Sequence, residues 1–266
     1  MKSVFVFISC FVVSIFYAQE NKILKVEYAE ITTYIPQIVN HDNGLLLISS
    51  NESYYKTIFN RFLSRKKMTA DSDDLIIRLP ENEKDYFSEI LINKSKNTLT
   101  ENLFDRYAIK KFLAVSEKIP KMDWKLLKGE KKISDFLCKK AETTFRGRTY
   151  TVYYTEEIPV SAGPWKFNGL PGLILSAEDK EGIYKWKVKS VKYPYKGTFD
   201  LSDVYNRIKK FKKMSYKEFD SKRIEIFKIK SKTTKARSGQ KQAVFLIFST
   251  KQWKEPINKW RNQTDF

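Results

Sequence analysis

The sequence predicts a mainly β fold: a single domain with an antiparallel, curved sheet and a short pair of helices near the C-terminus. Three observations predict it. Many short segments alternate apolar and charged residues, which is typical of half-buried strands. Turn-forming residues separate these segments at short intervals. Apolar residues at helical spacing appear only after residue 200, so an antiparallel sheet dominates the prediction.

The N-terminal strands are predicted from alternation and turn chemistry. The segment from Leu24 to Ile35 alternates and predicts the first strand. The tetrapeptide His41-Asp42-Asn43-Gly44 predicts a hairpin turn, because Asn-Gly favours the tight turns that join antiparallel strands. Strands are then expected over residues 45–50 and 53–59. The pattern farther along predicts a loop over 61–74, short strands over 75–79 and 86–92, and either strand or helix over 102–115.

A hairpin around Arg146-Gly147 is the clearest pairing in the sequence. A two-residue turn there fixes which residues of its two strands lie opposite each other. The expected pairs are Phe145 with Arg148, Thr143 with Tyr150, and Ala141 with Val152. Cys138 and Tyr153 are expected on the opposite face.

Two more strands and the helices complete the predicted domain. Strands are expected over 173–177 and 183–191, joined by a turn over 178–182. Ser202 is expected to cap a first helix, and Ser215 to Glu218 matches the capping box of a second. The predicted boundaries are a signal peptide over 1–18, a β-rich domain over 19–230, and a basic, partly flexible tail over 231–266, with one edge strand over 243–248.

The N-terminus predicts export. Lys2 precedes an apolar run that ends before Ala18-Gln19, the expected cleavage point. The run is shorter than the roughly 20 residues that a membrane span needs, so no transmembrane segment is expected after cleavage. The predicted location is the periplasm, the cell surface or the medium. Cys10 leaves lipidation open, although Phe7-Ile8-Ser9 only half matches a lipobox.

The charge balance is strongly basic, with a formal net charge of +19. A polyanion partner is one interpretation, and a solvated Lys-rich surface is the other. The second is favoured because only ten of the 50 basic residues are Arg, the side chain that best recognises phosphates and bases. Nucleic acid is therefore disfavoured as a partner.

Residues with reactive side chains are few. His41 is the only histidine, and Cys138 is the only cysteine after residue 18. No catalytic residue is assigned, and Cys138 is the one candidate, for a thiol enzyme. A single His and a single Cys do not make a zinc site, and the acidic run Asp71-Ser72-Asp73-Asp74 lacks the glycine and distal Glu of a calcium loop. No metal and no cofactor are expected.

Aromatic residues are the best functional lead, at 15% of the chain. They are expected either to line an apolar groove or to form the sheet core. The candidates for a ligand groove are Tyr153, Tyr154, Trp165, Tyr184 and Trp186.

The run from Gly163 to Leu175 contains three glycines and two prolines, which specify a backbone shape more than a reaction. Within it, Gly169 to Ile174 spells GLPGLI, and this chain resembles the GLPGLI family of exported proteins of Bacteroidota. Residues 121–190 carry further matching segments: Trp124-Lys125, Ile133 through Cys138 to Ala141, Phe145-Arg146-Gly147-Arg148, Tyr154-Thr155 with Ile158-Pro159, and Gly163-Pro164-Trp165-Lys166-Phe167.

The resemblance implies export and a shared fold but no activity. Its motif residues are carried over as structural candidates: Cys138, Arg146, Gly147, Arg148, Pro159, Gly163, Pro164, Trp165, Phe167, Gly169, Leu170, Pro171, Gly172, Leu173 and Ile174. The favoured function is a non-catalytic binding protein for a peptide, a lipid or an envelope partner, with an apolar cavity between sheet and helices. A hydrolase or thiol enzyme using Cys138 and a polyanion-binding protein using the Lys-rich surface stay open.

Overall fold

The computed structural model describes residues 23–35, 38–58, 87–104 and 112–238. Its elements within these ranges are β1 (Leu24–Ile35), β2 (Ile38–Ile48), β3 (Glu52–Ile58), β4 (Phe87–Asn93), β5 (Thr98–Phe104), β6 (Phe112–Lys118), β7 (Lys125–Ile133), β8 (Phe136–Phe145), β9 (Arg148–Thr155), β10 (Leu173–Asp179), β11 (Tyr184–Lys192), α1 (Ser202–Lys210), β12 (Lys212–Ser215) and α2 (Tyr216–Ser238). The predicted signal peptide, with its cleavage point and Cys10, lies outside the described residues, as do the elements predicted over 61–79 and 243–248.

The twelve strands form one sheet in the order β12-β6-β5-β4-β3-β2-β1-β11-β10-β9-β8-β7. Neighbours are antiparallel except β12, which pairs parallel with β6. Two meanders, β1 to β6 and β7 to β11, meet where β1 pairs with β11. The mainly β prediction, with an antiparallel sheet and two late helices, is confirmed.

The sheet is strongly curved. Eight inter-strand steps separate β6 from β9, which is about 38 Å in a flat sheet at about 4.8 Å per step. Nevertheless, Arg146 in the turn between β8 and β9 forms an ion pair with Glu117 of β6. The sheet therefore curls towards itself, and its two outer strands in this order, β12 and β7, do not pair.

The concave face of the sheet holds the main core. Its buried residues come from both meanders, for example Tyr28, Leu46 and Tyr150, and from the segment 156–172 that joins β9 to β10. Alternation along the strands explains this face, because every second side chain points inward. The segment 156–172 thus fills the inside of the curved sheet, and we call it the inner loop.

The two helices pack at different places. Leu201 and Val204 of the α1 region contact Tyr54 and Leu91 on the convex face. Nearer the β12 edge of the sheet, Met214 and Tyr216 pack on strand β6. Neither helix of the described residues has the length and apolarity that a membrane span requires.

The predicted hairpin around Arg146-Gly147 is confirmed with its register, since Phe145 lies opposite Arg148 and Ala141 opposite Val152. Of the segment 102–115, which fitted strand or helix, the described residues 102–104 belong to β5 and 112–115 to β6. The strand predicted to end at 177 continues to Asp179, and the turn follows it.

The hairpin turn predicted at His41–Gly44 is wrong. Strand β2 runs through these residues, and Gly44 lies opposite Tyr28 of β1. Gly44 is needed for space, because an added Cβ would overlap the Tyr55 hydroxyl. The glycine therefore marks a close approach of a neighbouring side chain inside a strand. In the sequence alone, such a glycine after Asn43 looks the same as a turn motif.

One of the two predicted helix starts differs from the start in the structure. Ser202 does not cap α1; it is the first helical residue, and its N–H and hydroxyl donate to the Asp200 carboxylate at 2.9 and 2.6 Å. At α2 the prediction is confirmed in part, since the Glu218 N–H donates to Ser215 Oγ at 3.1 Å. Helix α2 reaches Ser238 and so extends past the predicted domain boundary at residue 230.

Candidate functional site

The inner loop is held on the sheet by backbone hydrogen bonds. The N–H of Leu173 donates to the carbonyl of Ile158 at 3.1 Å, and the N–H of Ile174 donates to the carbonyl of Ala162 at 2.9 Å. The Tyr28 hydroxyl, from the central strand, donates to the carbonyl of Ile174 at 2.7 Å. These bonds fix both ends of the loop against the concave face.

The two glycines of the Gly169 to Ile174 motif are required for different reasons. Gly169 has a φ of +94°, a region that other residues avoid. Gly172 has an ordinary φ, but a Cβ there would overlap the carbonyl oxygen of Thr155. The motif therefore specifies one left-handed residue and one close approach of two backbones.

Aromatic packing attaches the tip of the loop. Trp165 stacks on Trp186 of β11, with ring centroids 6.2 Å apart and 10° between the planes. Phe167 contacts both rings edge-on, at 5.3 and 5.5 Å between centroids. All three side chains are buried, so the loop contributes the centre of the concave core.

Lys166 lies between Trp165 and Phe167 in the chain, and its side chain is fully buried. Its ammonium contacts Glu101 Oε2 at 2.9 Å and Glu117 Oε1 at 3.4 Å. It also lies 5.1 Å from the ring centroid of Tyr216, at the start of α2. The loop is thereby tied to β5, β6 and α2. The sequence analysis assigned no role to Lys166, and its one signal is a charged residue inside an otherwise apolar run.

The two arginines of the Phe-Arg-Gly-Arg segment also have structural partners. Arg146 pairs with Glu117 and stacks on Tyr216, 3.8 Å from the ring centroid. Arg148 is buried and pairs with Asp179, whose other oxygen accepts the Tyr184 N–H at 2.5 Å. Ion pairs within the fold therefore account for the presence of both arginines in this segment.

A cavity of about 280 Å³ lies between the concave face and the inner loop. Its size approaches the roughly 300 Å³ at which small-molecule pockets begin. The sheet supplies Leu46, Ser53, Tyr55, Ile90, Ile92 and Lys94, and the following segments supply Ile119, Ser161, Ala162, Gly163, Trp165, Phe167, Asn168 and Gly169.

The cavity has an apolar interior and a polar rim. Lys94, Ser161 and Gly169 are exposed and mark the rim. The lining residue Tyr55 donates its hydroxyl proton to Glu30 at 2.9 Å, and Thr57 donates to the same carboxylate oxygen at 3.0 Å; neither Glu30 nor Thr57 lines the cavity. Burial raises the pKa of Tyr55 well above its ordinary value, so the phenol stays a neutral donor to Glu30.

The rim of the cavity is braced by side chain to backbone bonds. The Gly169 N–H donates to Ser161 Oγ at 2.8 Å. Trp124 Nε1–H donates to the carbonyl of Asn168, also at 2.8 Å. The loop conformation that closes one side of the cavity is thus fixed by Ser161 of the loop itself and by Trp124, which precedes β7.

One of the five predicted groove residues, Trp165, lines this cavity. Tyr154, Tyr184 and Trp186 are buried in the core, and Tyr153 is half-buried beneath the Lys131 ammonium, 5.6 Å from its ring centroid. The cavity itself lies under the inner loop, whereas the sequence placed it between sheet and helices. That difference arises because α1 packs on the convex face.

Cys138 and His41 are not brought together. Cys138 is fully buried on β8, and four strands separate β8 from β2, which carries an exposed His41. Burial raises the pKa of the Cys138 thiol to about 11, which keeps it protonated at neutral pH. An activated thiol nucleophile needs the opposite shift.

Among the residues that the structure describes, no group of three or more His, Cys, Asp or Glu is placed to hold a metal ion. The acidic run Asp71-Ser72-Asp73-Asp74 lies outside them.

A family model described as "Protein of unknown function (Porph_ging)" matches residues 142–176. This stretch lies inside the segment that resembles the GLPGLI family, and it contains β9, the inner loop and the start of β10. No curated protein matches the chain.

Solved structures give more extensive matches. Two structures of PNGF-II, in C2 and P21 space groups, match at TM-scores of 0.48 and identities of 18 and 19%, and cover 73 and 75% of this chain. This chain spans 31 and 32% of those chains. A LolA superfamily protein, NE2245 from Nitrosomonas europaea, matches at a TM-score of 0.28 and 12% identity, covering 70% of this chain and 90% of that one. All three scores lie below 0.5, so the function of this chain is argued from its own geometry.

Proposed function

We propose that this chain is a non-catalytic binding protein that holds a small apolar ligand in the cavity under the inner loop. The observation that supports this most is the cavity itself, which is walled by aliphatic side chains and by Trp165 and Phe167. Apolar pockets with a few polar groups at one side are the usual form of a small-molecule site. Export to the periplasm or cell surface, a signal peptide over 1–18, a domain over 19–230 and a tail over 231–266 are part of the same proposal.

The lining of the cavity favours binding over chemistry. No carboxylate is among the described lining residues, and Glu30, which the hydroxyl of the lining residue Tyr55 contacts, is engaged by Tyr55 and Thr57. The sole thiol of the described residues, Cys138, is not among the lining residues and is protonated at neutral pH. A ligand in this cavity would therefore meet apolar surface and neutral hydroxyls, which bind without reacting.

The polyanion alternative has less support. Several lysines of the outer surface are engaged by acidic neighbours: Lys185 with Glu178 at 2.6 Å and Lys139 with Glu156 at 2.7 Å. Such pairs lower the positive potential that a polyanion would meet.

The experiment is displacement of a neutral fluorescent probe, N-phenyl-1-naphthylamine, by decanol. Ala162 is buried and lines the cavity, so Ala162→Phe is expected to fill it and abolish displaceable binding. Ala29, on the central strand and away from the cavity lining, gives the matched control Ala29→Phe, which is expected to bind like the wild type. Melting curves identify any variant that fails to fold.

Two results would contradict the proposal. One is the absence of saturable probe binding by the wild type. The other is unchanged binding by a folded Ala162→Phe variant, because the ligand would then occupy a different place. Native mass spectrometry of the protein purified without denaturant gives an independent reading, and a reproducible mass excess would support a bound ligand.

A further inference from the structure

Among the residues that the structure describes, Lys94 is the only lysine that lines the cavity. It follows strand β4 directly, in the turn that leads to β5. Its backbone is fixed, since its N–H donates to the Asn51 carbonyl at 2.8 Å and its carbonyl accepts the Asn97 N–H at 3.2 Å. Ile90 and Ile92 line the cavity from the same strand, and alternation places Lys94 on their side. The ammonium therefore belongs to the rim of the cavity.

The ammonium of Lys94 has no carboxylate partner within the described ranges 23–35, 38–58, 87–104 and 112–238. Lys166, which lies in the chain between the lining residues Trp165 and Phe167, is engaged by Glu101 at 2.9 Å. The Lys94 side chain is exposed, but desolvation by the protein around it lowers its pKa, because desolvation disfavours the charged form. An anion at the rim would offset this desolvation.

We infer that the ligand of the cavity is an amphiphile with a single anionic head group, whose apolar tail fills the cavity and whose head lies at the Lys94 ammonium. This inference rests on the proposed function and adds the chemical class of the ligand. A neutral head lacks the negative charge that strengthens the hydrogen bond from an ammonium to a carboxylate or phosphate oxygen, and a cationic head is repelled by the ammonium. The hydroxyl of Ser161 and the amide of Asn168 are the other polar side chains near the rim.

The geometry also sets the orientation of the ligand. The interior of the cavity presents aliphatic side chains and Tyr55, whose hydroxyl proton is already donated to Glu30, so it offers no donor to a second anion. The rim presents Lys94 and exposed backbone of the inner loop. An anionic head is thus favoured at the rim only, which distinguishes a one-headed amphiphile from a diacid.

The test compares ligands that share a tail and differ in head charge. Decanoate, decyl phosphate, decanol and decyltrimethylammonium are titrated into the wild type at about pH 8, where carboxylates are ionised, and below their micelle concentrations. Isothermal calorimetry is the measurement. We expect decanoate to bind about tenfold more tightly than decanol, the usual size of one charge-assisted hydrogen bond, and the ammonium compound to bind more weakly than decanol. The phosphate arm shows which anionic head is preferred.

Variants assign the preference to one residue. Lys94→Met is expected to remove the advantage of decanoate over decanol, measured as the ratio of the two affinities within the same variant, and Lys94→Arg is expected to retain it. Lys96 lies in the same turn, is exposed and does not line the cavity, so Lys96→Met is the matched control and is expected to behave as the wild type.

The outcomes separate this inference from the proposed function. Equal affinity of the wild type for decanoate and decanol would overturn the inference and leave the apolar binding site standing. A preference for decanoate that survives in Lys94→Met would overturn the assignment to Lys94. Failure of every decyl compound to bind would overturn the proposed function and the inference together.

Discussion

Trp165 of the inner loop and Trp186 of the central part of the sheet are stacked, with centroids 6.2 Å apart and 10° between their planes. Trp165 has a φ of +57°, in the left-handed region that side chains with a Cβ seldom adopt. The cost of this conformation is of order 1 kcal/mol or more, and the aromatic packing of Trp165 offsets it. The stack is therefore where the inner loop is joined to the sheet.

The first prediction concerns this stack. Trp165→Ala should destabilise the protein by about 3–5 kcal/mol, the range for removing a large buried aromatic side chain. Trp165→Phe should cost less, since it keeps a ring against Trp186. Both should lose the near-ultraviolet circular dichroism signal of the tryptophan pair. Urea unfolding measures the energies, and a Trp165→Ala variant as stable as the wild type would contradict the assignment.

The second prediction separates the two motif glycines. Gly172→Ala should destabilise more than Gly169→Ala, because its Cβ overlaps the Thr155 backbone carbonyl, whereas Gly169→Ala incurs mainly the backbone strain of about 1 kcal/mol. Asn tolerates the left-handed region, so Gly169→Asn should be milder than Gly169→Ala. Gly172→Asn should show no such relief. Thermal melting of the four variants gives the order, and an equal effect of asparagine at both sites would count against it.

The third prediction concerns the buried ion pair of Lys166 and Glu101. Lys166→Met leaves Glu101 without its cation, and loss of one partner of a buried pair costs about 3–5 kcal/mol. The double variant Lys166→Met with Glu101→Gln should lose less than the sum of the single variants. A double-mutant cycle from urea unfolding measures this coupling.

The exposed pair of Lys139 and Glu156 is the matched control for that cycle. Their side chains are 48 and 44% exposed, and exposed pairs contribute below about 1 kcal/mol. We expect a clearly larger coupling for the buried pair than for this one. Similar coupling in both cycles would show that Lys166 is not stabilised by its carboxylates as described.

The fourth prediction is a pH dependence at Cys138. Burial raises its pKa from 9.0 to about 11. Between about pH 9 and pH 11 the thiol therefore stays protonated in the folded state but ionises in the unfolded state. Its contribution to stability is full below about pH 9 and is lost as the pH rises to about 11. The difference in unfolding free energy between wild type and Cys138→Ala should decrease across this window. A constant difference would mean that the thiol titrates normally in the fold.

The same residue should resist alkylation. Cys138 has no exposed surface, and its thiolate fraction is small at neutral pH, so iodoacetamide should modify the native protein far more slowly than the unfolded one. Rapid native modification would reopen the thiol-enzyme alternative. Mass spectrometry against reaction time measures it.

Much of the sheet could be predicted from local sequence. Alternation identified β1 and β11, short strands were also predicted where β3, β4 and β10 lie, and the Arg146-Gly147 turn identified the pairing of β8 with β9 in its register. The cavity could not be found in this way. Its lining residues come from β2, β3, β4 and the inner loop, and no periodic signal connects segments so far apart in the chain.

The misread turn at Gly44 shows the limit in one residue. Asn43-Gly44 carries the local chemistry of a hairpin, yet the glycine is required because Tyr55 of the neighbouring strand occupies the space of its Cβ. The local sequence contains the turn signal, but it does not contain Tyr55, the residue that the fold brings next to Gly44. Lys166 is the same case, since its carboxylate partners lie 65 and 49 residues away in the chain (166 − 101 and 166 − 117).

The sequence by itself determined the strand class of the fold, one hairpin register and the need for an unusual backbone in the Gly-Pro run, because each of these depends on side-chain direction over a few residues. Only the tertiary structure decided that the sheet curls until Arg146 reaches Glu117, that the inner loop fills its concave face, and that a cavity with Lys94 at its rim remains between them. Those features depend on distances between segments that are remote in sequence, and curvature of the whole sheet sets those distances.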